Sequence, residues 1–329
     1  MKLGKFLLSL LFLVFVAEII IISPKDVDDQ AEVGAGAGDQ EAQAVDNQRS
    51  AVEQLMRGAH LVETRDGEKE WELWAESATA YKQKPLWSLV KVKTRIYGDD
   101  GVYFVVTGEE GAIDVKTKDM TIKGEVKIRS SNGYVFKTDE MTYHSQNRFL
   151  MAPLAVTMWG PRDDQGHSLF LKGRSMEADM SSSQMRVNKE VKGEKVFPKA
   201  KVLLIRSQQA IFSGKSNSAR FVGDVVMDYE TMRITGPEAI FEYAQKTDLV
   251  KSVQVVGGVR VSDRDKWATS QNMNVNFDLD RYVFRGSPRV VQNNDELLGE
   301  EIVFLDGGRK VEVFKAKAKV DDLRLERTN

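Results

Sequence analysis

DMTIKGEVKIRSSNGYVFKTDEMTYHS, Asp119 to Ser145, is the stretch that decides the fold. Met120, Ile122, Val126 and Ile128 alternate with Thr121, Lys123, Glu125, Lys127 and Arg129. A period of two with one apolar face is a strand lying on a core. Asn132-Gly133 then predicts a type I′ hairpin turn, which needs positive φ at both central residues. Val135 to Lys137 begin a return strand that Met141 and Tyr143 continue. Nothing in the stretch is an obvious catalytic group.

The same phrase recurs along the chain. A Ser, Thr or small residue precedes an apolar-x-apolar pair, a polar turn and an alternating strand. Copies start at Ala75, Thr107, Thr138, Ser175, Ser207, Thr235, Thr269 and Leu298. Their spacing, about 28 to 37 residues, falls in the range of stacked repeat architectures. Ala178/Met180, Ala210/Phe212, Phe241/Tyr243, Val275/Phe277 and Ile302/Phe304 occupy matching places. Gly124, Gly223, Gly257 and Gly286 recur inside strands. Such glycines predict a bend at the same point of each unit. A unit of this kind cannot bury its apolar face alone, so stacking must close the core. The expected fold class is all-β: an elongated open β-jelly roll of two stacked antiparallel sheets. A parallel β-helix is the competing architecture, but the stricter coils and Asn or Gly ladders it usually shows are missing from the sequence.

Composition narrows the function. The 329 residues carry 47 basic and 49 acidic side chains, mixed in sign, so no block reads as a nucleic-acid footprint. The chain has no cysteine, which removes a disulfide framework, a thiol nucleophile and a Cys-ligated zinc. His60, His144 and His167 lie far apart and form no metal-ligand spacing. No nucleophile elbow, P-loop or dinucleotide fingerprint occurs. Glu109/Glu110 and Glu300/Glu301 repeat at one place in the unit, which reads as solvated strand ends rather than a catalytic pair. In EKEWELWAESATAY, Trp71, Leu73 and Ala75 share one strand face, and Trp74 lies opposite with Glu70 and Glu72. The chain is expected to be no enzyme and to need no cofactor or metal.

The N-terminus reads as a membrane anchor. Lys2 and Lys5 precede an apolar run from Phe6 to Ile22, just long enough to span a bilayer. A cleaved signal peptide, the alternative, would have a shorter apolar core and a small-residue cut site. Asp26, Asp28 and Asp29 follow the run, so the lysines place the N-terminus in the cytoplasm. Glu18 lies inside the run and is expected either to face a protein partner or to reach the interface. The stretch from Ala31 to Ser50, rich in Ala, Gly, Gln and acids, cannot bury enough surface to order itself and reads as a tether.

The basic stub and single span, with GAHLVETRDGEKEWELWAESATAY, VKVKTRIYGDDG, TGEEGAIDVKTKDMTIKGEVKIRSSNGYVFKTDEMTY and PLAVTM, resemble the LptC family of lipopolysaccharide export. The resemblance covers roughly Met1 to Trp159. From Ser207 to Val320 the repeat rhythm resembles the OstA-like repeats of the periplasmic LptA protein. The chain is longer than a usual LptC protein, and two jelly rolls in series are expected. The parts are an anchor at 1–23, a tether at 24–50, an LptC-like roll at 51–197 and an LptA-like roll at 198–329.

The resemblance implies an inner-membrane protein whose bulk is periplasmic and whose groove takes the acyl chains of lipid A. It implies three partners: lipopolysaccharide, an inner-membrane ABC transporter, and an LptA-like bridge protein or outer-membrane translocon joined by edge-strand pairing. Glu18 is the transporter-contact candidate. The groove candidates are the inward residues Ile113, Val115, Met120, Ile122, Val126, Ile128, Phe136, Met141 and Tyr143. In the second roll they are Phe212, Phe221, Val225, Phe241, Tyr243, Val275, Phe277, Ile302 and Phe304. Each is equally consistent with plain core packing. The alternative function is an anchored scaffold joining envelope proteins without lipid. Lys315, Lys317 and Lys319 fall on one face of the last strand, where they would discourage unwanted strand pairing or meet lipopolysaccharide phosphates.

Overall fold

A computed structural model describes residues 52–319, apart from 83, 100, 163–165, 198–200, 245–249, 277–278 and 306–308. The anchor, the tether, Glu18, Phe277 and the C-terminal tail lie outside the described residues. No helix among the described residues is long and apolar enough to cross a membrane. The described chain belongs to one compact unit, Ser50–Asn329.

Every regular element among the described residues is a strand. The first six are β1 (Val52–Arg65), β2 (Glu68–Tyr81), β3 (Lys84–Tyr97), β4 (Tyr103–Asp114), β5 (Met120–Ser130) and β6 (Val135–His144). Then come four short ones, β7 (Phe149–Ala152), β8 (Val156–Trp159), β9 (Leu169–Gly173) and β10 (Ser175–Asp179). Long strands return with β11 (Gln184–Phe197), β12 (Lys201–Ser213), β13 (Ser218–Tyr229), β14 (Met232–Tyr243), β15 (Val250–Asp263) and β16 (Lys266–Asn276). The last six are β17 (Arg281–Arg285), β18 (Arg289–Gln292), β19 (Asp295–Leu298), β20 (Glu301–Leu305), β21 (Lys310–Phe314) and β22 (Lys317–Lys319). All pair antiparallel into a single sheet. Short strands are halves of one broken pass: β7 and β8 both lie against β6, and β17 and β18 both lie against β16.

The bend expected in each unit is present. Gly124, Gly223, Gly257 and Gly286 all have left-handed backbone, with φ of 77, 82, 87 and 79°. Register slips flank them, as between Thr107 and Glu110 on β4 and between Val222 and Val225 on β13. At Gly257 an added Cβ would meet Pro237 Cγ at 2.7 Å, so both space and φ demand glycine there. Bulges of this kind bend a strand sharply. Each pass is thereby split into two arms, and the arms fold back on one another. One arm holds Val126–Ser130 of β5, and the other holds Met120–Lys123. Their inner faces meet, as Tyr134 on the first arm touches Phe212 on the second.

The alternation read from sequence decides which residues fill the space between the arms. Met120, Ile122, Val126 and Ile128 are fully buried, and one apolar cluster runs from Ala59 to Ile302. Several expectations need correction. The β5–β6 turn is not type I′, because only Gly133 has positive φ, at 94°. Gly133 N–H donates to Ser130 O at 3.1 Å, and Ser130 N–H donates to Tyr134 O at 2.9 Å. This is a three-residue loop closing on one left-handed residue. Val115 does not face inward; it is 44% exposed in the turn after β4. Glu109 sits at the bend within β4 rather than at a strand end, whereas Glu300 and Glu301 stand where β20 begins. Lys315 occupies a left-handed bend before β22 and pairs with Glu300, so it does not share that strand's face. Glu70 is buried and does not keep the face it was expected to share with Trp74 and Glu72. Glu63 opposes Trp71 while Thr64 opposes Lys69, so Glu70 is the extra residue of a bulge that turns it inward.

Candidate functional site

The interior between the arms reaches solvent along the hairpin tips. Near the N-terminus those tips are latched together. Glu70 Oε2 pairs with Arg65 Nε at 3.2 Å, while Oε1 accepts from Tyr143 Oη at 2.9 Å and Ser145 Oγ at 2.7 Å. Burial, then the Glu70 carboxylate, push the Tyr143 phenol above its ordinary value. Farther along, Arg148 ties the tips by pairing with Asp99 and donating to Tyr97 O at 2.8 Å.

Beyond this latch the tips part around a cavity of about 230 Å³. Phe104, Tyr134 and Phe136 line it from one arm, and Met180, Met185, Phe212 and Tyr243 from the other. Tyr134 lies edge-on to Phe212 at 6.1 Å and stacks with Phe136 at 6.3 Å. Polar groups rim it. Asn217 Nδ2 donates to Tyr243 O at 2.9 Å, and Asp179 Oδ1 caps the β10–β11 turn by accepting from Ser181 Oγ at 2.6 Å. Those serine hydrogen bonds hold the Asp179 carboxyl down to about 2. Lys195 also lines the cavity, and it is 6% exposed.

A second cavity, about 510 Å³, opens between Tyr229, Met232, Val261, Tyr282, Phe284 and Phe304. Lys201 reaches across its rim to Glu230 at 3.0 Å, and Tyr282 Oη donates to Asp280 at 3.1 Å. Burial, then Asp280, push the Tyr282 phenol upward.

Of the groove candidates, Phe136, Phe212 and Tyr243 come together at the first cavity, and Phe304 lines the second. Ile113, Met120, Ile122, Val126, Ile128, Met141, Tyr143, Phe221, Val225, Phe241, Val275 and Ile302 are packed within the core. Sequence reading missed Tyr134, Lys195, Met185 and Tyr229. Lys195 was legible, since it shares the parity of Val191, Gly193 and Phe197 on β11. Among the described residues no three acidic or histidine side chains form a metal cluster. His60 stacks on Trp74 at 5.0 Å, and His144 Nδ1 lies 3.0 Å from Asp119.

The family described as "Lipopolysaccharide-assembly, LptC-related" matches residues 19–196, more than half of the chain. The chain belongs to this family. Residues 204–306 match a second, described as "LptA/(LptD N-terminal domain) LPS transport protein". The LptC-related chain therefore carries a C-terminal LptA-like extension, as the sequence resemblance implied. The two matches meet where β11 pairs with β12 from Gln184↔Ser213 to Phe197↔Lys201, so the ladder passes from one to the other with only the bulge after Asn188. Both descriptions concern assembly and transport rather than catalysis. Among solved structures, similarity extends to LptH, the LptA homologous periplasmic component of the lipopolysaccharide transport device from Pseudomonas aeruginosa. The identity is 16%, the match covers 36% of this chain and 94% of that one, and the TM-score is 0.33. No curated protein matches the chain.

Proposed function

We propose that this LptC-related protein carries lipopolysaccharide through the periplasm with the acyl chains between the two arms. The supporting observation is the single apolar interior, which passes from the LptC-related part into the LptA-like part without a break. Acyl chains gain about 0.8 kcal/mol per buried CH₂ in such a setting. The aromatic cavity at Tyr134, Phe136, Phe212 and Tyr243 is the place where a chain would reach the interior, and Lys195 in the same lining would meet a head-group phosphate. Phe6 to Ile22 would anchor the protein in the inner membrane, with Glu18 facing the ABC transporter that supplies lipid. The parts at 51–197 and 198–329 would act as two modules in series.

The free edges supply partners. Among the described residues β1 pairs only with β2, and β21 and β22 pair only with β20 and β19. β1 has 14 residues with neither Lys nor Pro, the usual protections of an edge, and Leu55 and Val62 are exposed. Such an edge suits strand addition by another jelly roll. Here the transporter side would use β1, and an LptA-like protein or outer-membrane translocon would use β21 and β22.

A lipid-free scaffold is favoured by one observation: most of the interior is already filled by its own side chains. Photo-crosslinking residues at Phe136, Tyr243 and outward Lys123 separate the readings in cells. Lipopolysaccharide adducts at the first two and not at Lys123 are expected. Adducts at Lys123 alone, or at none, would sink the lipid-carrying reading.

A further inference from the structure

The outer face of one arm carries a row of cations that the carrier reading leaves unused. Following the pairing register across the strands, Lys93, Lys127, Lys137, Lys172, Lys192 and Arg206 stand in one line, separated only by Thr107 and Thr157. The line goes on through Arg260, Arg289 and Lys317, and its members among the described residues include no acid. Lys127 lies directly opposite Lys137, and Lys192 opposite both Lys172 and Arg206. Like charges facing one another across strands are destabilising. Arg206 and Arg289 have partners in the adjoining row, Asp228 at 3.1 Å and Glu296 at 2.5 Å. Lys127 and Lys192 have no acidic partner among the described residues, although Glu125, Glu190 and Glu194 lie nearby in sequence. Aromatic rings flank the row. Lys137 sits over Trp159 at 5.7 Å, Lys172 over Phe170 at 5.4 Å, and Arg260 and Arg289 both over Trp267 at 5.1 Å.

A row at strand spacing, about 4.8 Å per step, matches a linear polyanion. A flat bilayer would touch only part of it, because a sheet twists by roughly 20° per strand. The aromatic rings beside the cations suit sugar rings. The row also passes the first cavity: Arg129, two residues beyond Lys127 on the same strand, leads toward the β5–β6 tip, where Ser130, Asn132 and Tyr134 form the cavity rim. We propose that this ladder holds the anionic saccharide part of lipopolysaccharide along the outside of the roll. The inference rests on the carrier reading, in which the acyl chains lie within.

The test uses the full-length chain and the quadruple variant Lys127→Gln, Lys137→Gln, Lys172→Gln, Lys192→Gln. Each is titrated with complete lipopolysaccharide, with lipid A lacking the saccharide beyond its own two sugars, and with the anionic saccharide freed of acyl chains. The variant is expected to lose roughly tenfold in affinity for the complete molecule and for the free saccharide, less at high salt, with lipid A unchanged. Its melting temperature is expected to hold or rise, because facing like charges are gone. Equal saccharide binding by both proteins would overturn the ladder. So would sedimentation with phosphatidylglycerol vesicles that only the parent shows, which would assign the face to a membrane. Saccharide binding lost in the variant, with lipid A bound by neither protein, would uphold the ladder and remove the carrier reading instead.

Discussion

The ring of Tyr134 meets Phe212 edge-on, with centroids 6.1 Å apart and planes at 67°. Tyr134 lies in the LptC-related part and Phe212 in the LptA-like part, so the contact joins the two arms and the two family segments at once. Phe212 also packs on Phe221, which packs on Phe241 at 5.2 Å. Phe212→Ala should therefore destabilise by about 3 kcal/mol, at the low end for a buried Phe because the site borders a cavity. Since β11 and β12 pair on both sides of their bulge at Lys189 and Glu190, urea unfolding should remain one transition that moves to lower midpoint. Two separated transitions would show that the modules do not share one core.

The repeat, the strand parity and the bend at each glycine were all legible, because a half-buried sheet writes its faces into every second residue. Val115 escaped this logic: the parity of Ile113 extends to it, but the strand stops at Asp114. Glu70 escaped it because a bulge shifts parity by one, and no residue type announces that bulge. The cavities were not legible, since they depend on which tips meet across the arms. Tyr134 shares the parity of inward Phe136, two residues on, but it stands in the turn before β6 and joins Phe212 only through folding-back of the sheet.

Position 189 tests the bend rule directly. Lys189 and Glu190, with φ of 61 and 51°, stand where the next unit has Gly223 and Asp224. An L-residue in the left-handed region is strained, and glycine is not. Lys189→Gly should stabilise by about 0.5 kcal/mol or more, after allowing for glycine's greater freedom when unfolded. The reverse change, Gly257→Ala, should destabilise by about 2 kcal/mol, since Pro237 also stands in the way. Chemical denaturation of the pair should give opposite signs.

The latch at Glu70 makes a graded prediction. Glu70→Ala leaves Arg65 and the Tyr143 hydroxyl facing an empty site and should destabilise by about 3 kcal/mol. Tyr143→Phe removes one hydrogen bond and keeps the packing, so about 1 kcal/mol is expected. The double variant should fall short of the sum, because both changes break the same contact. Additive losses would mean that Glu70 is held by Arg65 and Ser145 alone.

Asp179 gives a pH dependence with a definite sign. Its carboxyl is held at about 2 in the folded chain, below the ordinary 3.8, chiefly by the Ser181 hydroxyl and then by Ser182. A depressed carboxyl stabilises fully above its unfolded value, and that stabilisation is lost as pH falls through the folded value. The window is therefore about pH 4 to 2. Asp179 is partly solvent-exposed, so screening reduces the effect to about 1 kcal/mol. Melting curves of the parent should slope downward across this window more steeply than those of Asp179→Asn. Because the residue caps the turn rimming the first cavity, the same titration should loosen that rim. Crosslinking yield from a probe at Tyr243 should then change with pH in the parent and stay level in the variant.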